Sequence, residues 1–282
     1  MSKGGKLDKF YTKPQIVKDL LQMIDLSKYD LVLEPSAGAG DFYNMLPIKT
    51  RLGIDLEPAH PDILKKDFFD YVSCDNKNTI TIGNPPFGKN SKLAIKFFNH
   101  AAVFSDCIAF IVPRTFRKPS VINRLDFNFH LLKQKLLPLD SFYIPSGKTY
   151  KVPTVFQIWQ KDYSKREKIQ TLKQHPDFKF VPIDFNGKKP PSEAQKIKQC
   201  NNSDFCVQRV GVNAGKVYDN INKKYRDWKS HYYIKQTNPS VRSVMESIDW
   251  NFDESPKFDN AGNPSISKHD LINFYKKRIK NG

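Results

Sequence analysis

The chain has 282 residues, of which 39% are hydrophobic and 13% aromatic, enough for one large domain or two smaller ones with a real core. Its 46 basic and 29 acidic residues leave a formal charge of +17 and a pI near 9.6, which favours a polyanionic partner, and nucleic acid first among them. No run approaches the roughly 18 apolar residues of a membrane-spanning helix, and the start, MSKGGKLDKF, has no apolar signal core, so a cytoplasmic protein without a membrane partner is expected.

The predicted elements alternate through the first half. Lys13–Leu26 has apolar residues at helical spacing (Ile16, Val17, Leu20, Leu21, Ile24), with Thr12 placed as N-cap and Pro14 in the first turn. Leu31–Leu33, Arg51–Leu56 and Asn78–Gly83 read as strands, followed by a helix over Leu93–Phe104 and a strand over Cys107–Pro113. A helix is expected over Ser120–Leu132 and a strand over Thr154–Trp159. Strand-helix alternation of this kind predicts an α/β fold with a doubly wound, mostly parallel sheet, in which ligands sit beyond the carboxyl ends of the strands.

The residues after each strand are therefore the ones to inspect. After the first come Glu34-Pro35-Ser36-Ala37-Gly38-Ala39-Gly40-Asp41, small enough to let a ligand approach the backbone. The spacing is neither the dinucleotide G-x-G-x-x-G nor a P-loop with its lysine. Asp55 follows the second strand, placed to accept hydrogen bonds from a ribose, with Glu57 as a nearby substitute. Asp67-Phe68 sets an acid beside an aromatic ring, a pair that suits an adenine amino group and ring face. After the third strand comes Asn84-Pro85-Pro86-Phe87, a stiff turn poor in backbone donors, because each proline fixes φ near −65° and removes an N–H.

Taken in order, Phe10-Tyr11-Thr12-Lys13-Pro14, Glu34 through Gly40, Asp55, Asp67-Phe68 and Asn84-Pro85-Pro86-Phe87 resemble the S-adenosylmethionine-dependent N6-adenine methyltransferases of nucleic acid, with a motif order like the gamma class. The resemblance covers roughly residues 8–161 and includes Ile111-Val112-Pro113-Arg114-Thr115-Phe116. It implies a Rossmann-like, seven-stranded methyltransferase sheet. It also implies that Phe10, Tyr11, Thr12, Glu34 and the backbone around Ser36, Ala37, Gly38 and Gly40 hold the methionine part of S-adenosyl-L-methionine. Asp55 and Leu56 would hold the ribose, Asp67 and Phe68 the adenine, and Asn84 would lie beside the reacting group. Phe10 and Phe68 also read as plain core residues.

An exocyclic adenine amine is a poor nucleophile, because its lone pair is delocalised into the ring. Two acceptors aimed at its hydrogens, the Asn84 side-chain oxygen and the Pro85 carbonyl, favour the tetrahedral nitrogen that attacks; no metal is required. Phe87, beside Pro86, would stack on the target base, which must be flipped out or single-stranded. A second stacking ring is expected from Tyr143–Pro153, with Tyr150 preferred and Phe142 or Tyr143 as alternatives. The NPPF turn identifies a planar nitrogen rather than a substrate, since enzymes acting on glutamine amides or on guanine carry similar turns.

Two regions are expected: residues 1–163, the methyltransferase domain, with 23 basic and 16 acidic residues, and residues 164–282, a basic nucleic-acid recognition region, with 23 and 13. In the second, Lys165–Gln174 reads as weakly helical, 186–196 as an exposed loop, and Cys206–Val210 and Tyr232–Lys235 as strands. The loop RVGVNAGKVY, with Arg209 and Lys216, could lie against a phosphate backbone, although a plain turn explains it as well. A helix from Ser267 ends in a basic run. The scattered cysteines (Cys74, Cys107, Cys200, Cys206) complete no zinc site and read as reduced thiols. DNA is the expected substrate, RNA the alternative, and a catalytically silent nucleic-acid-binding subunit the opposed reading.

Overall fold

Seven strands form the central sheet of the computed structural model, which describes residues 10–73, 77–144, 146–184, 190–219, 227–260 and 262–280. The chain divides into two compact units, 1–169 and 170–282. In the first, β1 (Tyr11–Thr12) leads into α1 (Pro14–Leu21), then β2 (Leu31–Glu34), β3 (Arg51–Asp55), β4 (Leu64–Lys65), β5 (Thr79–Gly83), α2 (Lys92–Ala101) and β6 (Cys107–Pro113). A short α3 (Pro119–Ile122) precedes β7 (Phe129–Leu136), β8 (Phe142–Tyr143), β9 (Thr149–Tyr150) and β10 (Thr154–Lys161).

The sheet order is β4-β3-β2-β5-β6-β10-β7, parallel from β4 to β6 with β10 antiparallel to both of its neighbours. This is the doubly wound, mostly parallel α/β sheet expected from the alternation of elements. Strand alternation sends Val32, Ile80, Ile82, Ala109 and Ile111 to one face, where Val17 and Leu20 of α1 pack. Leu33, Ile108 and Phe110 face the other way, against Ala94, Ile95 and Phe98 of α2. The order turns back between β2 and β5, so their carboxyl ends flank a crevice. A separate three-stranded sheet, β1-β8-β9, is antiparallel, with Tyr11 opposite Tyr143 and Thr12 opposite Phe142.

Several expectations are corrected. Ser120–Leu132 is not one helix: the helix stops at Ile122, Asp126 accepts from the Asn128 amide in a turn, and β7 begins at Phe129. Val121, Leu125 and Phe129 have helical spacing, but pairing with β10 along the whole of β7 outweighs that local preference. The first helix begins without a side-chain cap, because Thr12 lies in β1 and Lys13 takes the cap position. It ends at Leu21, and Asp25 caps a separate 3₁₀ turn over Leu26–Lys28. Lys165–Gln174 forms no helix; the Arg166 guanidinium instead donates to the carbonyls of Ile122, Leu125 and Phe129.

The second unit is a four-stranded antiparallel sheet, ordered β11-β14-β12-β13 from β11 (Phe178–Phe180), β12 (Phe205–Gln208), β13 (Val217–Asp219) and β14 (His231–Gln236). Phe178, Phe205, Val207 and Ile234 pack under α5 (Val241–Glu246) and α6 (Lys268–Lys280) through Val241, Met245, Leu271, Ile272 and Tyr275. Cys206 and Tyr233 face the other side, with Cys200 of α4 (Glu193–Asn201). That helix starts inside the stretch expected to be a loop: Ser192 and Gln195 form a reciprocal capping box, an S-x-x-Q signature readable in the sequence. The first part of that stretch, 186–189, lies outside the described residues, as does Cys74. Cys107, Cys200 and Cys206 are buried.

Among the described residues, no helix is long and apolar enough to cross a membrane, and no group of three or more His, Cys, Asp or Glu side chains is placed to hold a metal ion.

Gly215 has φ of +99°, and a Cβ built there would lie 2.2 Å from Cδ1 of Trp250, whose ring is in the core of the second unit. Gly215→Ala should therefore cost about 2–4 kcal/mol, combining left-handed strain with overpacking. Gly262→Ala, with nothing within 4 Å, should stay within about 0.5 kcal/mol of the parent. Urea denaturation of both variants checks this.

Candidate active site

Glu34 ends β2 at the reversal of strand order and is only 3% exposed. It packs against Gly83, the last residue of β5: a Cβ built on Gly83 would approach Glu34 Cγ at 3.1 Å. Burial pushes the Glu34 carboxyl well above its ordinary range; a hydrogen bond from the Tyr43 backbone opposes this, and the charges of Asp41 and Asp55 add to it. Its Oε2 is buried with no hydrogen-bond partner, so this oxygen lacks a donor or a positive group.

The loop after Glu34 folds onto the end of β3. The Ala37 amide donates to the Ile54 carbonyl, and the Gly38 amide donates to Asp55 Oδ2 at 2.8 Å. The Glu57 amide donates to Asp55 Oδ1, also at 2.8 Å. Asp55 thus anchors the Gly-rich loop itself, while each oxygen keeps capacity for a further donor. Gly38 has φ of +51° and lies under Tyr11: a Cβ there would come within 3.2 Å of Tyr11 Cε1. Ser36 is half-buried, Gly40 is buried and Leu56 is exposed.

Asn84 follows β5 directly. Its Nδ2 donates to the Thr12 hydroxyl at 3.3 Å, an arrangement that leaves Oδ1 as the amide's free acceptor. Thr12 is itself 2% exposed, and its backbone amide donates to Asp41. Asp41 also accepts from the Tyr143 hydroxyl, at 3.0 and 3.3 Å to its two oxygens. Burial raises the Asp41 carboxyl, against the pull of these donors, and burial together with Asp41 pushes the Tyr143 phenol up to about 12. Asp41 and Tyr143 therefore pin β1 and β8 over the Gly-rich loop. Sequence reasoning gave Asp41 no role, although it directly follows Gly40 in the motif.

Pro85 is buried, whereas Pro86 and Phe87 are half-buried, and the Phe87 ring packs where the two core layers meet. Tyr150 is exposed and stacks on Phe10, with centroids 4.1 Å apart and planes 11° from parallel. Asp67 caps a 3₁₀ turn by accepting from the Phe69 amide. Phe68 is only 2% exposed; Phe97 stacks on it at 5.1 Å, and the His100 and Phe104 rings also pack against it. Phe69 is the exposed ring beside Asp67. Tyr11, Thr12, Glu34, Gly38 and Asn84 are thus brought together with Asp55, and Phe68 belongs to the core.

In the second unit, Arg209 and Lys216 do not share a surface. Arg209 lies over Tyr232, which packs with the core under α5 and α6, and Lys216 lies over Tyr218, which packs with Cys206 and Tyr233 on the other face.

No family model matches the chain, and no curated protein matches it either. Among solved structures, it is similar to a candidate RNA methyltransferase from Pyrococcus horikoshii, at 18% identity over 57% of this chain and 92% of that one, with a TM-score of 0.44. It is also similar to the 23S rRNA methyltransferase ErmE, at 12% identity over 56% of this chain and 71% of that one, with a TM-score of 0.41. A third likeness is to a modification subunit of a candidate type I restriction enzyme from Vibrio vulnificus, at 14% identity over 95% of this chain and 60% of that one, also with a TM-score of 0.41.

The raised Glu34 carboxyl makes a prediction for the ligand-free chain. Its folded pKa lies above the unfolded value of 4.5, so its stabilising contribution is complete below that pH and is lost as pH rises through the folded pKa. Glu34→Gln should make the chain more stable than the parent at pH 8, with little difference at pH 4.5. Denaturation midpoints of the two proteins across this range measure it.

Proposed function

We propose that the chain transfers a methyl group from S-adenosyl-L-methionine to N6 of adenine in nucleic acid, with DNA as the first substrate to test. The observation that carries this reading is the hydrogen bond from Asn84 Nδ2 to the Thr12 hydroxyl, which turns the amide oxygen of the NPPF motif into a fixed acceptor at the sheet's switch point. Through Asn84 and Thr12, 72 positions apart in sequence, the NPPF and FYTKP motifs are in contact, which supports the reading.

The pocket residues fit the proposed donor. The unpartnered Oε2 of buried Glu34 would take the methionine ammonium, which supplies the positive charge that oxygen lacks. Gly38, with no side chain, leaves its backbone open to the methionine part between Tyr11 and Asp55. Asp55, with a lone pair to spare on each oxygen, would accept from the ribose hydroxyls, and Phe69 offers an open ring beside Asp67 for the adenine. When bound, the donor supplies an electrophilic methyl on a sulfonium, which already carries its own leaving group.

The chain's part is then positioning. The Asn84 oxygen and the Pro85 carbonyl accept the two amine hydrogens and favour the pyramidal nitrogen, and the proline ring keeps a competing donor out of the turn. Phe87 offers one face to the target base. The Tyr150 ring, now on Phe10, would be the second if that stack opens. The lost proton passes to solvent, directly or through the Asn84 and Pro85 oxygens as hydrogen-bond acceptors, and needs no strong base.

Asn84→Ala should lower methyl transfer roughly a hundred- to a thousandfold while leaving binding of S-adenosylhomocysteine within about twofold. Tritiated methyl transfer to duplex DNA, single-stranded DNA and RNA in parallel, with nucleoside analysis of the product, tests both the reading and its polymer. Label appearing on guanine or on protein, or full activity in the variant, would overturn it.

A further inference from the structure

We propose that Arg209 and Lys268, held over the Tyr232 and Phe180 rings of the second unit, form a binding site for a backbone phosphate of nucleic acid. The inference rests on the nucleic-acid reading above and gives it a place on the surface.

The two rings lie side by side on adjacent strands, β11 and β14, with centroids 5.3 Å apart and planes at 67°. Arg209 Cζ is 5.2 Å from the Tyr232 centroid, and Lys268 Nζ is 4.5 Å from the Phe180 centroid. Each cation is thus held by a ring face, and the touching rings bring the cations together. Their backbones are tied as well: Val210 and Ser265 form an antiparallel bridge, the Ile266 amide donates to the Arg209 carbonyl, and the Gly211 amide donates to Pro264. The Tyr232 hydroxyl donates to the Ile266 carbonyl at 3.2 Å, which fixes its ring in the same frame.

Two like charges in a partly dry corner repel unless an anion lies between them. Among the described residues, neither Arg209 nor Lys268 has an acidic partner within 4.0 Å. Asp270, the acid beside Tyr232, is occupied in a cap, where Oδ2 accepts from the Ser267 amide at 2.7 Å and from its hydroxyl at 2.6 Å. Arg209 Nε is buried with no hydrogen-bond partner. The Lys268 ammonium is pulled below its ordinary range, first by burial and then by the Arg209 charge.

A phosphate suits this pair. Its oxygens take the guanidinium in a fork and the ammonium as a point charge, which a carboxylate of similar size does less completely. The rings are already covered by the cations, so the site would grip the backbone rather than stack bases. It would add affinity without reading sequence.

The test uses the full chain and fluorescein-labelled single-stranded and duplex oligonucleotides, with affinity measured from 50 to 300 mM salt. Arg209→Gln and Lys268→Gln should each weaken binding about three- to tenfold at low salt and flatten the slope of log affinity against log salt by up to about one. Lys179→Gln, which removes one exposed charge beside Phe180 on the opposite face of β11, separates this local grip from overall charge and should leave the slope near that of the parent. Arg209→Lys should retain the slope but not the full affinity. S-adenosylhomocysteine binding and the melting temperature should be unchanged throughout. If the parent binds oligonucleotide while Lys268→Gln and Arg209→Gln match it in affinity and slope, the site is overturned and the function stands. If the parent binds neither oligonucleotide, the nucleic-acid reading itself fails, and this site with it.

Discussion

Everything in the first unit depends on the reversal of strand order between β2 and β5. Crossovers from these neighbouring strands leave in opposite directions, so no helix covers the space beyond their carboxyl ends. Glu34 and Asn84 stand on the two sides of that space by construction. Closing it costs the chain a buried carboxylate whose far oxygen has no partner. Under the proposed function, ligand rather than protein completes the hydrogen bonding there.

Much of this was legible before any coordinates. The strands β2, β3, β5 and β6 announce themselves as short apolar runs ended by Gly, Pro or an acid, and the acids at the ends of β2 and β3 mark the crevice. What misled was periodicity without tertiary context. Val121, Leu125 and Phe129 have helical spacing, but the second two are a turn residue and a strand residue, because pairing with β10 is available only in the folded chain. Burial was invisible in the same way. Asp67-Phe68-Phe69 offers two adjacent rings, and only packing decides that Phe68 turns inward and Phe69 outward. Likewise, Arg209 and Lys216 flank one loop in sequence, yet strand alternation sends them to opposite faces.

The short β1-β8-β9 sheet shows how weak local structure can be made firm. Two-residue strands hold little by themselves. The Asp41 carboxylate, bridging the Thr12 amide and the Tyr143 hydroxyl, ties this sheet to the loop between β2 and β3, and the Lys13–Asp140 pair at 3.0 Å adds an exposed tether. The Asp41–Tyr143 and Lys13–Asp140 ties join positions 102 and 127 apart in sequence, so each closes a long loop onto the sheet beneath.

The outermost strand, β7, has a consequence of a different kind. One of its edges is paired with β10, and the other has no strand partner among the described residues. Leu132 is 62% exposed beside that edge, a combination on which another molecule's strand could nucleate. Lys133 and Lys135 interrupt the run, so a second copy pairing antiparallel there would set ammonium against ammonium. The strand that closes the sheet thus also carries its own barrier to self-association, which the proposed nucleic-acid partner would call upon by gathering copies of a chain with a formal charge of +17.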